Sequence, residues 1–418
     1  MVDLDLDLDL VEFNRWVDGY VNFKQRESTR AFRLETMQIL AEALGHPERS
    51  CPCFHVTGSK GKGTISAFIA GILREAGYTT GVLASPHVLH FTERIGTGAE
   101  PFTQEVYDAA FLELRTAVEK LIADGALKKE RVGWFELTTM FAMLCFKEAG
   151  VDYAVYEVGM GGRLDATNIV EPAACAFGPV ELEHTRFLGN TLTEIALEKA
   201  GIMKPGVPCV SAPQADEVRA VLKETAKKQG AKITFAEALG DYVEQDAAVA
   251  KMAVLKVLPE ISDEVMVRGI SKVSLPGRFE KITGVLDIPY ILIDVAHTKN
   301  SIKQVVSRMR REQISGKLLF GCAVGKDVTA MAKEILTAPI FSEIYLTKPG
   351  DFKKSDIDEI RSAFLKNNSN GVPITADPDY KKVIQKVIEK ASADKEPVVV
   401  LGSFYLAGEV KKWLAENY

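Results

Sequence analysis

The ten residues from His55 to Thr64, HVTGSKGKGT, constrain the fold more than any other stretch of the chain. They read as a short β-run, then a glycine-rich turn carrying a lysine and a hydroxyl, then an alanine- and isoleucine-rich helix predicted over 65–77. Gly58, Gly61 and Gly63 let the backbone curl until several N–H groups point inward, a nest for phosphate oxygens. The following helix adds the positive end of its dipole at the same spot. Lys62 supplies a mobile cation for the outer phosphates and Thr64 a hydroxyl that can sit near Mg²⁺. Gly63 separates Lys62 from Thr64, so the ending differs from the usual phosphate-loop GK[ST].

A strand–loop–helix of this kind belongs in a parallel sheet, and the rest of the chain agrees. Apolar β-rich runs at 53–57, 80–84, 153–158, 173–177 and 208–211 alternate with helical patterns at 102–124, 135–149, 193–201 and 215–229. That alternation predicts an α/β fold with a mostly parallel sheet, a P-loop-type ATPase domain. The pattern restarts at 290–294 and continues through 317–324, 344–347 and 397–402. The expected division is a domain over 1–287, with a hinge at about 275–287, and a smaller α/β domain over 288–418. At 418 residues the chain exceeds what one hydrophobic core usually supports. The N-terminal VDLDLDLDL is acidic and alternating, unlike a signal peptide, and reads equally as an edge strand, a frayed tail or a helix start.

Charge and cysteine usage narrow the class. A net charge of −6 gives no reason to expect a nucleic-acid partner, so anionic substrates need local basic pockets. No apolar run approaches the ~20 residues needed to span a bilayer. The six cysteines and six histidines show no zinc or redox spacing, and a reducing cytoplasm is the simplest location.

Glu157 closes an apolar strand and opens EVGMGGRLDATN, at the carboxyl end where α/β proteins place ligands. A carboxylate there suits the Mg²⁺ of bound ATP. Gly159, Gly161 and Gly162 permit close approach of the backbone, and Arg163 and Asp165 could fix a substrate. His184 and Glu183 follow another buried strand. Lys199 falls on a helix, where most lysines are solvated surface groups.

Taken in order, HVTGSKGKGT, SPHVLHFTERI, EVGMGGRLDATN, EHTRFLGNTLTEIALEKAGI, LPGRFE and DVAHT resemble the motifs of the folylpolyglutamate synthase/dihydrofolate synthase family of the Mur ligase superfamily. The similarity runs from about Leu34 to the end of the chain. It implies an ATP-binding α/β domain followed by a smaller Rossmann-like domain. It also implies an ATP-dependent amide ligase that adds L-glutamate to a folate-type acceptor through an acyl phosphate. By this resemblance Ser59, Lys60, Gly61, Lys62, Gly63 and Thr64 hold the ATP phosphates. Ser85 and Glu157 bind one Mg²⁺, and His184 helps to bind a second. Lys199 carries a CO₂-derived carbamate, and Lys62, Lys199 and His184 form the catalytic group. Arg278 and Asp294 reach ATP from the smaller domain. Gly133, Trp134, Phe135 and Glu136, with Leu164, Asp165 and Ala166, touch the pteridine-bearing acceptor. The resemblance further implies a monomer acting on small molecules, with dihydropteroate, folate polyglutamates or both as acceptor.

Three positions depart from the family's pattern. Glu183 stands where an aspartate is usual, and Thr298-Lys299 replaces asparagine-proline. Asp246 aligns with an asparagine expected to contact ATP. The alternative readings are a Mur-type ligase acting on a cell-wall precursor, whose phosphate loop usually lacks Gly63, and an ATP-binding scaffold that has lost catalysis.

Overall fold

The computed structural model describes residues 10–20, 34–240 and 242–418, so residues 2–9 of the Asp-Leu run lie outside it. The chain divides into two compact units. One contains residues up to His87 together with Phe91–Val273, the other Val88–His90 with Ser274–Tyr418.

The N-terminal unit is built on β1 (Cys53–Thr57), β2 (Thr80–Leu83), β3 (Ile95–Gly96), β4 (Tyr153–Glu157), β5 (Ala174–Phe177), β6 (Cys209–Ser211) and β7 (Ile233–Phe235). Their spatial order is β3-β2-β4-β1-β5-β6-β7, parallel except for the β2–β3 pair. β1 lies between β4 and β5, in register His55 to Tyr156 and His55 to Cys175. A central strand of a parallel sheet is covered on both faces, and all five residues of CFHVT are buried, the polar His55 and Thr57 with their side chains hydrogen-bonded. Alternation sends Phe54, Val56 and Val155 into the core beneath helices Lys62–Glu75 and Tyr242–Val257. Cys53, Ala154 and Tyr156 face the opposite layer, where helix Trp134–Glu148 is buried continuously from Leu137 to Phe146. Both helix layers therefore grip the sheet at the strand that feeds the glycine loop.

The C-terminal unit carries β8 (Glu280–Ile282), β9 (Ile291–Ile293), β10 (Gly316–Phe320), β11 (Phe341–Leu346), β12 (Ile374–Ala376) and β13 (Val398–Leu401). The order is β12-β11-β10-β13-β9-β8, with only β8 antiparallel. Leu292, Leu318 and Val399 face one core, while Ile293, Leu319 and Val400 face the other. The main segment of this unit starts at Ser274 rather than at residue 288, because β8, within the segment expected to be a hinge, pairs with β9.

Lys317, on β10, is buried and paired with Asp394 at 2.7 Å and with Glu343 and Glu396 at 3.2 Å. Three carboxylates share this cation, so its removal leaves them facing each other with only Lys390, which pairs with Asp394 at 3.1 Å, as a remaining cation partner among the described residues. Lys317→Met is expected to cost about 2 kcal/mol, read as a lowered denaturant midpoint with an unchanged m-value.

Candidate active site at the head of the N-terminal sheet

The phosphate loop starts where β1 ends. Gly61 sits in the left-handed region at φ 76° and caps the helix, which begins at Lys62, three residues before the predicted start. The first intrahelical bond is Ile65 N–H to Gly61 O at 2.8 Å. The N–H groups of Lys62, Gly63 and Thr64 therefore have no intrahelical acceptor and lie at the positive end of the dipole. Ser59 and Lys60 are used differently. Their N–H groups donate to the Pro179 carbonyl at 2.8 and 3.3 Å, and the Ser59 hydroxyl donates to Glu181 O at 3.0 Å. Ser59 and Lys60, at the start of the expected phosphate loop, thus anchor it to segment 178–181, while the N–H groups of Lys62, Gly63 and Thr64 stay open at the start of the helix. Close backbone approach requires glycine on both sides of this anchor: a Cβ on Gly58 would stand 2.9 Å from Gly178 Cα.

Two ammonium groups converge on one carbonyl. Lys62 Nζ donates to Gly58 O at 2.8 Å and Lys199 Nζ donates to the same oxygen at 3.0 Å. Lys199, 1 % exposed, also pairs with Glu183 at 2.7 Å. Burial, then the Lys62 charge, lowers the Lys199 pKa to about 8, against the opposing pull of Glu183. Burial works to raise the Glu183 pKa, but Lys62 and Lys199 outweigh it and hold it below the ordinary carboxylate value. The lysine that reads as a surface residue is therefore interior. Its helix, Leu192–Ala200, starts with a reciprocal Thr191–Glu194 capping box. The helix end is met by Gly162, where a Cβ would stand 2.9 Å from Glu198 O. Arg163 closes this contact with a 2.7 Å ion pair to Glu198.

Glu157, 4 % exposed at the end of β4, accepts the Ser85 N–H at 3.0 Å through Oε2. The same oxygen lies 3.6 Å from where a Cβ on Gly63 would stand, so the carboxylate faces the first turn of the phosphate-loop helix. Ser85 and Glu157 are thus brought together, through the Ser85 backbone. His184 is exposed with φ 45° at the start of the short helix Thr185–Leu188, next in sequence to the partner of Lys199. No group of three His, Cys, Asp or Glu gathers to hold a metal ion among the described residues. Mg²⁺ needs no such cage, because one or two carboxylates and substrate phosphates suffice. A buried carboxylate facing a phosphate-loop helix fits that ion. Asp246, buried on helix Tyr242–Val257, places its carboxylate where a Cβ on Gly61 would stand. The carboxyl group at that departure position therefore lies directly against the loop.

The expected acceptor residues meet the same loops. Phe135 lies on Gly159, with ring atom Cζ 2.6 Å from a Cβ built there. Trp134 is edge-on to Phe91 at 5.9 Å, carries the Arg94 guanidinium at 5.0 Å and donates to Asp18 at 3.2 Å. Glu136 folds back onto Gly133. Leu164 is half-buried and Ala166 buried. Asp165 is 3 % exposed and accepts from Met160 N, Thr167 N and Thr167 Oγ1, which commits it to holding its own loop.

In the C-terminal unit, Asp294 is buried and accepts backbone N–H groups on both oxygens, from Phe279 at 2.9 Å and Ala296 at 2.8 Å. Burial raises its pKa against the pull of Arg278. Arg278 lies over the Phe404 ring at 4.9 Å. Thr298 caps helix Lys299–Arg311 in a reciprocal pair with Ser301, so the departure from asparagine-proline preserves a capped start.

Residues 56–280 match the Mur ligase middle domain and residues 277–404 the Mur ligase glutamate ligase domain. The chain is 30% identical over 443 residues to the dihydrofolate synthase/folylpolyglutamate synthase of Bacillus subtilis, covering 96% of this chain and 97% of that protein. It is 29% identical to the dihydrofolate synthetase of Saccharomyces cerevisiae, covering 90% and 96%. In fold it resembles folylpolyglutamate synthase from Mycobacterium tuberculosis complexed with ADP and AMPPCP. That likeness has a TM-score of 0.82 at 23% identity and covers 97% of this chain and 98% of that one.

Proposed function

Because this chain belongs to the folylpolyglutamate synthase/dihydrofolate synthase family of the Mur ligase superfamily, we propose that it joins L-glutamate to a folate-type acceptor with ATP, through an acyl phosphate. The observation that carries this reading is the convergence of Lys62 and Lys199 on the Gly58 carbonyl, beside Glu183.

The acceptor carboxylate attacks the γ-phosphorus, the bond to the β-phosphate oxygen breaks, and ADP leaves. The glutamate amine then attacks the acyl carbon, phosphate departs, and the amine proton is released as the amide forms. Lys62 offsets charge on the transferring phosphoryl group, and the first-turn N–H groups of Lys62, Gly63 and Thr64 orient it. Glu157 and Ser85 would hold one Mg²⁺ and His184 would help to hold a second, the ions supplying further charge neutralisation when bound. Arg278 and Asp294 are proposed nucleotide residues of the C-terminal unit, Asp294 acting by fixing the backbone beside Arg278.

Lys199 is the proposed carbamate carrier. Its amine adds to CO₂ and loses a proton, which requires the neutral form, and burial favours that form. The product exchanges a cation for an anion, relieving repulsion from Lys62 while adding repulsion with Glu183 that a divalent cation offsets. Activity in CO₂-depleted buffer should therefore fall, and bicarbonate should restore it. A monomer in the cytoplasm completes the proposal; all six cysteines are free thiols, and no helix among the described residues is long and apolar enough to cross a membrane.

ADP release with ATP, Mg²⁺ and L-glutamate, measured with dihydropteroate, with tetrahydrofolate and without acceptor, tests the function. Turnover with both acceptors is expected of one bifunctional site. ATP binding without acceptor-dependent turnover would instead establish a scaffold. A separate expectation concerns Asp246: Asp246→Asn should lower the KM for ATP by roughly three- to tenfold, because a like charge is removed from beside the phosphates.

A further inference from the structure

β1 supports more than the phosphate loop. His55 and Thr57 project from the same face of this strand, two residues apart, toward the segment that follows β4. Thr57 Oγ1 donates to Gly161 O at 2.7 Å. His55, fully buried, meets Thr167 Oγ1 through Nε2 at 2.8 Å, and Thr167 Oγ1 lies 2.6 Å from Asp165 Oδ1. The Thr167 N–H reaches the same oxygen at 3.1 Å, and Met160 N–H reaches Oδ2 at 3.0 Å.

Proton counting orders this chain. Burial raises the Asp165 pKa, but the carboxyl receives donors on both oxygens, the pattern of an ionised carboxylate. Thr167 has one hydroxyl proton, and the 2.6 Å separation assigns it to Asp165. Its oxygen must then accept, so His55 carries its proton on Nε2. Nδ1 of His55 is buried without a hydrogen-bond partner, as expected of the bare nitrogen of a neutral ring. Burial, then the nearby Lys204 charge, lowers the His55 pKa to about 3, in keeping with that neutral state.

We propose that His55 and Thr167 are positioning residues for acceptor binding: the relay His55–Thr167–Asp165 fixes the loop that carries Leu164 and Ala166. The inference rests on the assignment of that loop to the folate-type acceptor. The phosphate loop leaves β1 by its backbone, whereas the acceptor loop is braced by the side chains of β1. The two binding functions are thereby separable by mutation.

Thr167→Val keeps the shape but breaks both side-chain hydrogen bonds. It should raise the acceptor KM by about tenfold or more while the KM for ATP stays within about twofold. Thr167→Ser should restore the acceptor KM, which a purely space-filling role would not require. Equal effects on both substrates, or no effect on the acceptor, would overturn the proposal. Nitrogen-15 NMR of the wild-type imidazoles, with His55→Gln used to assign the resonance, should place the His55 proton on Nε2 at neutral pH. A proton on Nδ1, or on both nitrogens, would overturn the relay. A wild-type protein that turns over no folate-type acceptor would defeat the functional assignment and with it the acceptor role, while the NMR result decides the relay by itself.

Discussion

Lys199→Ala is expected to bind ATP normally and to lose at least about a hundredfold in kcat, the scale of removing one group that stabilises transition-state charge. Lys199 is an interior lysine whose ammonium shares the Gly58 carbonyl with Lys62. A truncated side chain leaves space, so short carboxylic acids such as acetate or propionate should restore part of the rate if a carboxylate-like group acts there. Full activity in Lys199→Ala would remove Lys199 from the mechanism. The same residue should burden stability. Its pKa is lowered to about 8 in the folded protein, so between that value and the ordinary lysine value of about 10.4 the unfolded chain binds more protons. Stability from this group therefore rises with pH through that interval, and the cost is fully present below about pH 8. Lys199→Met, which keeps the volume, should have a Tm no lower than the wild type at pH 7. A marked fall would mean that the Glu183 pair outweighs burial.

The second large effect is expected at Glu157. Glu157→Gln keeps an oxygen for the Ser85 N–H, which the native carboxylate accepts at 3.0 Å, and removes the charge that faces Gly63. The Mg²⁺ concentration for half-maximal activity should rise by about tenfold or more, with nucleotide binding in the absence of Mg²⁺ unchanged or tighter. An unaltered Mg²⁺ requirement would place the ion elsewhere.

How much of this was legible in the residues differs between elements. β1, read at 53–57, forms over Cys53–Thr57, because a central parallel strand is covered on both faces and is buried along its whole length. β3, β7, β8 and β12 left weaker traces: they are two or three residues long and lie at or next to a sheet edge, where less burial disciplines the pattern. The helix after the phosphate loop starts earlier than its apolar pattern, since its first turn is Lys-Gly-Thr and is set by Gly61. Glu157 and Lys62 were visible because their position after a strand and in a glycine loop has a local signature. The interior placement of Lys199 followed only from the family resemblance, because nothing within LEKAG reports that Gly58 and Glu183 will surround its ammonium. Glu183 could be seen only as a departure, and its partner only in three dimensions. Asp165 presents the converse case. A polar residue in a glycine-rich loop reads as a ligand group, yet its oxygens are taken up by Met160 and Thr167. The donors that satisfy a buried carboxylate are mostly backbone, and backbone donors have no letter in a sequence.

The acyl phosphate is the intermediate on which the proposed ligation turns. An acceptor labelled with oxygen-18 in its reacting carboxylate, incubated with the protein, ATP, Mg²⁺ and L-glutamate, should deliver one labelled oxygen to each phosphate released, with glutamate recovered in amide linkage on the acceptor. Amide formation with unlabelled phosphate would contradict carboxylate phosphorylation, and release of phosphate without the amide would contradict glutamate ligation at this site.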